Sequence, residues 1–378
     1  MKKTRVGITG QNGFIGSHLK WTLDLNPDAF EVISFEKSYF QDEAELDTFV
    51  GQCDVLVHLA AMNRHESQQV IHDTNIALTQ TLIASLERTG ATPYVLFSSS
   101  TQELADNLYG KSKKACALAL ENWAKSSGGS FTSLIIPNVY GPFSKPYYNT
   151  FIATFCHQLV SGDEPQVNGT SSVDLIYVGE VVASMLELIE ANLPAGQVVE
   201  SKKISSTKTI TVGEVFDLLK SYNEMYVGEG RIPALTTRFE LNLFNTFRSY
   251  MDHGGIYPRH YVKHTDNRGL FVELLRLGGG GQVSYSTTKP GITRGNHFHT
   301  RKVERFSVIS GKAQIELRRI DQSEKLTFDL DGNDPSYVDM PIWYTHNITN
   351  TGDSELLTVF WINEFYDPND PDTYFVEV

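Results

Sequence analysis

Arg5-Val6-Gly7-Ile8-Thr9-Gly10-Gln11-Asn12-Gly13-Phe14-Ile15-Gly16 decides how the first half of this chain is read. Residues 5–9 form a short apolar run that suits a buried strand, and from Phe14 to Leu25 the pattern turns helical. Gly10, Gly13 and Gly16 stand three apart between the two. Glycines so placed let the main chain close on a pyrophosphate, and the N-terminus of the following helix favours its negative charge. Asn12, Phe14 and Ile15 share the turn and are expected to touch the same dinucleotide.

Outward from this turn, residues 32–35, 55–59 and 94–97 read as further strands, with helical patterns over 75–87 and 111–125. That alternation predicts a parallel sheet covered by helices on both faces. Glu36 and Lys37 close the second strand, where the adenosine ribose would lie. A carboxylate suits the ribose hydroxyls of NAD and a cation the 2′-phosphate of NADP; both are present, so these two residues leave the choice of dinucleotide open. Leu59 and Ala60 end the next strand on the same side.

Tyr109-Gly110-Lys111-Ser112-Lys113 places a phenol and an ammonium at i and i+4, on one face of a helix. The ammonium is expected to lower the phenol pKa from about 10, making a proton donor beside a hydride acceptor. Phe97-Ser98-Ser99-Ser100 ends the preceding strand and offers a hydroxyl to a carbonyl oxygen. Ser100 and Thr101 both remain candidates for that hydroxyl.

From about Lys263 the rhythm changes. Short strands recur between turn signals at 278–281, 289–291, 310–311 and 331–333, and helical periodicity nearly disappears, which predicts a β-sandwich or small barrel. The helical stretch 235–250 followed by His253-Gly254-Gly255 reads as a hinge, so domains are expected over 1–250 and 256–378. Within the second, His297 and His299 are two apart and face one way on a strand. Glu304 on the next strand can add an oxygen, and His346 in Pro341-Ile342-Trp343-Tyr344-Thr345-His346 a third imidazole. Such a set suits Zn, Fe, Ni or Mn, with zinc expected first.

A formal charge of −13 argues against nucleic-acid binding, which needs a basic surface. Cys53, Cys116 and Cys156 show no paired spacing, as in a reducing compartment. The first residues lack the roughly 7–15-residue apolar stretch of a signal peptide, and no window approaches the roughly 20 apolar residues of a membrane helix. A cytoplasmic protein without membrane contact is expected.

The first half resembles the extended short-chain dehydrogenase/reductase family, through the glycine turn, His58-Leu59-Ala60-Ala61, Asn75, Tyr109 and Lys113, and Pro137-Asn138-Val139-Tyr140-Gly141-Pro142. It departs in the short spacer between Ser100 and Tyr109, and in Thr101-Gln102 where the family's 4,6-dehydratases carry Asp-Glu, so carbonyl reduction is preferred over dehydration. The second half resembles both cupin motifs, with Trp343 in place of the usual glycine, expected to narrow the barrel mouth. The fold implied is an α/β Rossmann domain plus an all-β cupin, a double-stranded β-helix or jelly roll.

With Lys289-Pro290-Gly291-Ile292-Thr293-Arg294-Gly295-Asn296-His297, the ending Trp361-Ile362-Asn363-Glu364-Phe365-Tyr366-Asp367-Pro368, and stretches 149–156 and 166–168, the chain is similar throughout to CapF-type capsular polysaccharide enzymes. This resemblance implies C3 epimerisation by the cupin and NADPH-dependent C4 reduction of a UDP-linked 2-acetamido-2,6-dideoxy-4-ketohexose. The product would be UDP-N-acetyl-6-deoxy-L-talosamine, on the route to UDP-N-acetyl-L-fucosamine. Ser100, Tyr109 and Lys113 would be the catalytic set, and His264, Tyr285 and Lys289 are among the candidates for the epimerising base. In Asp266-Asn267-Arg268-Gly269 the arginine resembles a phosphate contact of related epimerases. A monofunctional reductase with a structural cupin, and a non-catalytic NADPH sensor that binds sugar, are the alternatives; a homodimer is expected.

Overall fold

The computed structural model describes residues 2–148, 150–167, 169–191 and 195–378. Asn149 and Asn168, in two of the stretches similar to CapF-type enzymes, lie outside the described residues. Two compact units are present: residues 1–154 with 169–212, and residues 155–168 with 213–378.

In the first unit, β1 (Thr4–Thr9), β2 (Phe30–Ile33), β3 (Val55–His58), β4 (Tyr94–Ser100) and β5 (Ser130–Ile136) pair in parallel. A short separate sheet takes β6 (Asn138–Tyr140), β7 (Ser172–Tyr177) and, beyond β8 (Val198–Lys203), β9 (Lys208–Thr211). With β8 the large sheet runs β2-β1-β3-β4-β5-β8. Strand residues alternate faces. Val6, Ile8, Val55, Val57 and Leu96 bury against α1 (Phe14–Asp24) and, later in the chain, residues 181–189. Leu56, Val95 and Phe97 bury on the other face, against α2 (Glu43–Gln52), α3 (Gln68–Thr89) and α4 (Leu108–Ser127). This is the doubly wound α/β sheet expected, with two strands on one side of the point where the order reverses and four on the other. Asn107 starts α4 by accepting the Gly110 N–H at 2.7 Å, which sets where Tyr109 emerges.

The second unit is almost wholly antiparallel. One sheet orders β10 (Arg259–His260), β18 (Ser336–Met340), β15 (Glu304–Ser310), β20 (Leu356–Ile362) and β13 (Gln282–Thr288). The other orders β17 (Lys325–Asp331), β16 (Lys312–Arg319), β19 (Tyr344–Asn350), β14 (Thr293–Phe298) and β21 (Tyr374–Phe375), and β11 (Lys263–Asp266) pairs with β12 (Gly269–Val272) as an exposed hairpin. From β13 to β15 successive strands alternate between the sheets, and β18 to β20 do so again: the jelly roll of a cupin. Val308, Ile315, Leu317, Val338, Ile348 and Leu356 fill its centre.

The stretch expected as a hinge is instead a buried helix of this second unit. Residues 241–248 of the helix Arg238–Arg248 are all buried, behind a capping box of Thr237 and Glu240. Its last residue explains why. Arg248 donates to the Tyr226 hydroxyl at 3.1 Å and the Met340 carbonyl at 2.9 Å. Tyr226 donates to Asp339 at 2.7 Å, and Arg305 grips the same carboxylate through two nitrogens at 2.7 and 2.8 Å. Burial opposes the charge on Asp339, but Arg305 and then Arg248 outweigh it and hold its carboxyl below the usual range. Such a network is stable only while every member keeps its partner.

Candidate functional site

The strand order reverses between β1 and β3, so a crevice opens at their carboxyl ends, where doubly wound sheets hold ligands. Gly10, Asn12, Gly13, Phe14, Ile15 and Gly16 lie there, as do Leu59 and Ala60. A Cβ on Gly16 would stand 2.2 Å from the Gly10 carbonyl oxygen, so only glycine lets the helix start fold onto the turn. Gly13 begins α1 with no side-chain cap, and the first N–H groups of the helix remain for an anion.

His58 and Ala60 belong to a motif the sequence shows, but the hydrogen bonds by which they brace this crevice leave no pattern in it. The Ala60 N–H donates to the Thr9 hydroxyl at 3.3 Å, that hydroxyl shares a hydrogen bond with His58 Nδ1 at 2.7 Å, and His58 Nε2 shares one with the Thr79 hydroxyl at 3.2 Å. Burial, helped by the Lys113 charge, pushes His58 down to about 3, so it stays neutral and the chain of donors runs one way. Gln11 donates to the Phe35 carbonyl at 2.8 Å and ties the turn to the end of β2, where Glu36 and Lys37 are exposed.

Ser100, Tyr109 and Lys113 come together where β4 ends and α4 begins. The Ser100 hydroxyl lies close enough to the Tyr109 phenol to favour its ionised form, and accepts the Gln102 N–H at 3.2 Å. Lys113 lies 5.9 Å from the Tyr109 ring centroid and donates to the Ser98 carbonyl at 2.8 Å. A Cβ on Gly110 would meet the Gln102 oxygen at 2.0 Å; glycine therefore admits the 101–104 turn against the start of α4 and holds Ser100 near Tyr109. Asn75, buried on α3, accepts the Met62 N–H at 2.7 Å and donates to Ser112 on α4.

One expectation is reversed. Burial pushes the Tyr109 phenol up to about 12, only partly countered by the Ser100 hydrogen bond. Lys113 itself is drawn down to about 8 by burial. Desolvation, which the spacing could not reveal, is the largest cause of the shift, and the Tyr109 phenol is fully protonated at neutral pH.

In the second unit His297, His299, Glu304 and His346 converge, with one ligand atom from each within 4.8 Å of the others. A register shift between Gly295 and His297 brings His297 opposite His346 on the paired strand. Two of the imidazoles have their tautomers set by carbonyls: His299 Nδ1 donates to Asp372, and His346 Nδ1 to Tyr344 at 3.2 Å. His346 Nε2 is buried without a well-formed hydrogen bond, 3.4 Å from Glu304 Oε2. His299 Nε2 lies 3.0 Å from the same oxygen. Burial, then the neighbouring imidazoles, push His297 down to about 4, leaving its lone pair available. Burial resists charge on Glu304 too, but His299 and His346 hold it far below its ordinary value. An orphaned nitrogen, a carboxylate kept ionised and tautomers that turn Nε2 inward fit a divalent cation.

His264, Tyr285 and Lys289 are exposed, and none belongs to this cluster. Arg268 pairs with Asp266 at 2.6 Å within its own exposed hairpin. Trp343 keeps the left-handed backbone of the glycine it replaces, at φ 62°, and its buried ring stacks on Phe298 rather than lining a mouth.

Residues 6–200 match the NAD dependent epimerase/dehydratase family, and residues 264–374 the polysaccharide biosynthesis C-terminal domain. A UDP-2-acetamido-2,6-beta-L-arabino-hexul-4-ose reductase of Pseudomonas aeruginosa is 31% identical over 98% of both chains. The spore coat polysaccharide biosynthesis protein SpsL of Bacillus subtilis is 28% identical over 31% of this chain and 85% of its own. Among solved structures, the capsular polysaccharide assembling protein CapF of Staphylococcus aureus is similar over 99% of this chain and 100% of its own, at 34% identity and a TM-score of 0.63.

Proposed function

The chain belongs to the NAD dependent epimerase/dehydratase family and is of the CapF type over its full length, and on that premise we propose that it is a bifunctional sugar-nucleotide enzyme. Its substrate is a UDP-linked 2-acetamido-2,6-dideoxy-4-ketohexose, inverted at C3 in the barrel and reduced at C4 in the α/β domain. The product is UDP-N-acetyl-6-deoxy-L-talosamine, which leads to UDP-N-acetyl-L-fucosamine for capsule or O-antigen. The observation that carries this reading is the meeting of Ser100, Tyr109 and Lys113 beside the β1–β3 crevice.

Gly10, Asn12, Gly13, Phe14, Ile15, Gly16, Glu36, Lys37, Leu59, Ala60 and Lys113 would hold NADPH, which would supply the hydride. As C4 accepts it, charge grows on the carbonyl oxygen. Tyr109 gives that oxygen its proton, Ser100 holds it by a hydrogen bond, and Lys113 places positive charge beneath both. Tyr109 is protonated at neutral pH, as a donor must be.

In the barrel, His297, His299, Glu304 and His346 would hold a divalent ion, zinc first. It would supply the electrophilic charge that acidifies a hydrogen beside a ketone. Exposed apolar side chains on β12 and β13, including Phe271, Val283 and Tyr285, support a homodimer. A cytoplasmic location completes the proposal.

The test is product NMR after incubating the 4-keto precursor with NADPH in deuterated buffer. Deuterium at C3 together with NADPH oxidation is expected. Oxidation without exchange would make the barrel structural and the enzyme a reductase only. Neither event would leave the non-catalytic alternative, a sensor that binds NADPH and sugar.

A further inference from the structure

The residues closing the barrel cluster do not all come from the strands that carry the ligands. Asp372, 2% exposed, lies on the C-terminal tail with a left-handed backbone at φ 40°. Its main-chain carbonyl accepts the His299 Nδ1 proton. Its carboxylate accepts the Thr300 N–H at 3.0 Å and hydroxyl at 2.7 Å through one oxygen, and the Arg301 and Lys302 N–H groups, each at 3.1 Å, through the other. These three residues follow His299 directly and lead to Glu304. One side chain therefore caps the turn between two of the clustered groups while its own main chain orients the first.

The rest of the tail converges on the same turn. Arg301 pairs with Glu364 at 3.1 Å and Asp370 at 3.0 Å, and Lys302 donates to the Pro371 carbonyl at 2.5 Å. Beyond Asp372, β21 pairs with β14, setting Phe375 opposite His297. Two of the three imidazoles thus take their orientation in part from residues 370–375. An imidazole offers Nε2 to a cation only while Nδ1 keeps its proton, and an acceptor fixed opposite Nδ1 enforces that tautomer.

We infer that Asp372 is the positioning residue of the barrel's metal centre, and that the C-terminal tail acts as a strap holding His299 and His297 in binding geometry. The inference rests on the metal reading proposed above.

It is tested on the full-length protein stripped with chelator and titrated with zinc against a chromogenic competitor. NADPH binding to the same preparations shows that the α/β unit is intact. Asp372→Ala is expected to weaken zinc binding by about 10–100-fold, as loss of an orienting partner does. Asp372→Asn, which keeps the shape and suits the left-handed backbone, is expected to weaken it less; it decides the matter should the alanine variant fail to fold. Nitrogen-15 shifts of His299 should show the Nδ1–H form in the wild type and a mixed tautomer in both variants, a change that lost stability alone would not produce. Wild-type affinity and an unchanged tautomer in the folded variant would overturn the inference. A wild type that takes up no zinc would instead overturn the metal reading.

Discussion

Replacing Lys113 by methionine separates what the fold tolerates from what the chemistry needs. The side chain is 4% exposed, and burial brings its pKa from 10.5 to about 8. At 1.36 kcal/mol per pH unit, keeping it charged inside the folded protein costs about 3 kcal/mol relative to the unfolded chain. The hydrogen bond to the Ser98 carbonyl offsets about 2 kcal/mol of this. Methionine fills similar space without either contribution, so Lys113→Met is expected to be more stable by about 1 kcal/mol at pH 7. The sign then turns with pH. A lysine whose folded pKa is depressed binds fewer protons folded than unfolded between about 8 and 10.5, so the wild type gains on the variant as pH rises through that window. The swing should total about 3 kcal/mol, read as the difference between two urea unfolding curves at each pH. Comparing the two proteins cancels the titrating groups that do not interact with Lys113. Wild-type kcat/KM for the ketone should fall about tenfold between pH 7 and 9, because charged Lys113 falls from about nine-tenths to one-tenth while Tyr109 stays protonated. A stability difference that does not move with pH, or a flat wild-type rate to pH 9, would refute the reasoning.

Tyr109→Phe should lower ketone reduction by about 10²–10⁴-fold while leaving deuterium exchange at C3 unchanged; loss of both would mean the two sites are not independent. His297→Ala should release the bound metal, and elemental analysis showing a full complement would remove it from the ligand set. Thr9→Val leaves His58 Nδ1 and the Ala60 N–H without their partner, a cost of about 1–3 kcal/mol; a chemical-denaturation midpoint equal to wild type would show that the donor chain does not brace the crevice.

The two ends of the legibility scale sit close together in this chain. Glycines at 10, 13 and 16 and the Tyr109–Lys113 spacing could be read directly, because each reflects contacts within one turn of local structure. The sign of the Tyr109 shift could not, since it depends on burial supplied by the surrounding fold. The four clustered groups of the barrel were legible from strand alternation and a later His346, but the bulge that brings His297 opposite His346 leaves no pattern of its own. Asp372 was invisible for a simpler reason: it is a lone acid far along the chain, in a segment with no periodicity. The helix 238–248 misled as a hinge because its amphipathic face and following glycines look alike whether or not a barrel buries them.

The buried cluster of Tyr226, Arg248, Arg305 and Asp339 bears on how such genes can be shuffled. A cassette encoding residues 256–378 alone would carry Arg305 and Asp339 but discard the phenol and guanidinium that complete them. Its product is expected to expose apolar surface and collect in inclusion bodies. The compact unit comprises residues 213–378 with residues 155–168, so recombination must move the jelly roll together with helical segments that precede it.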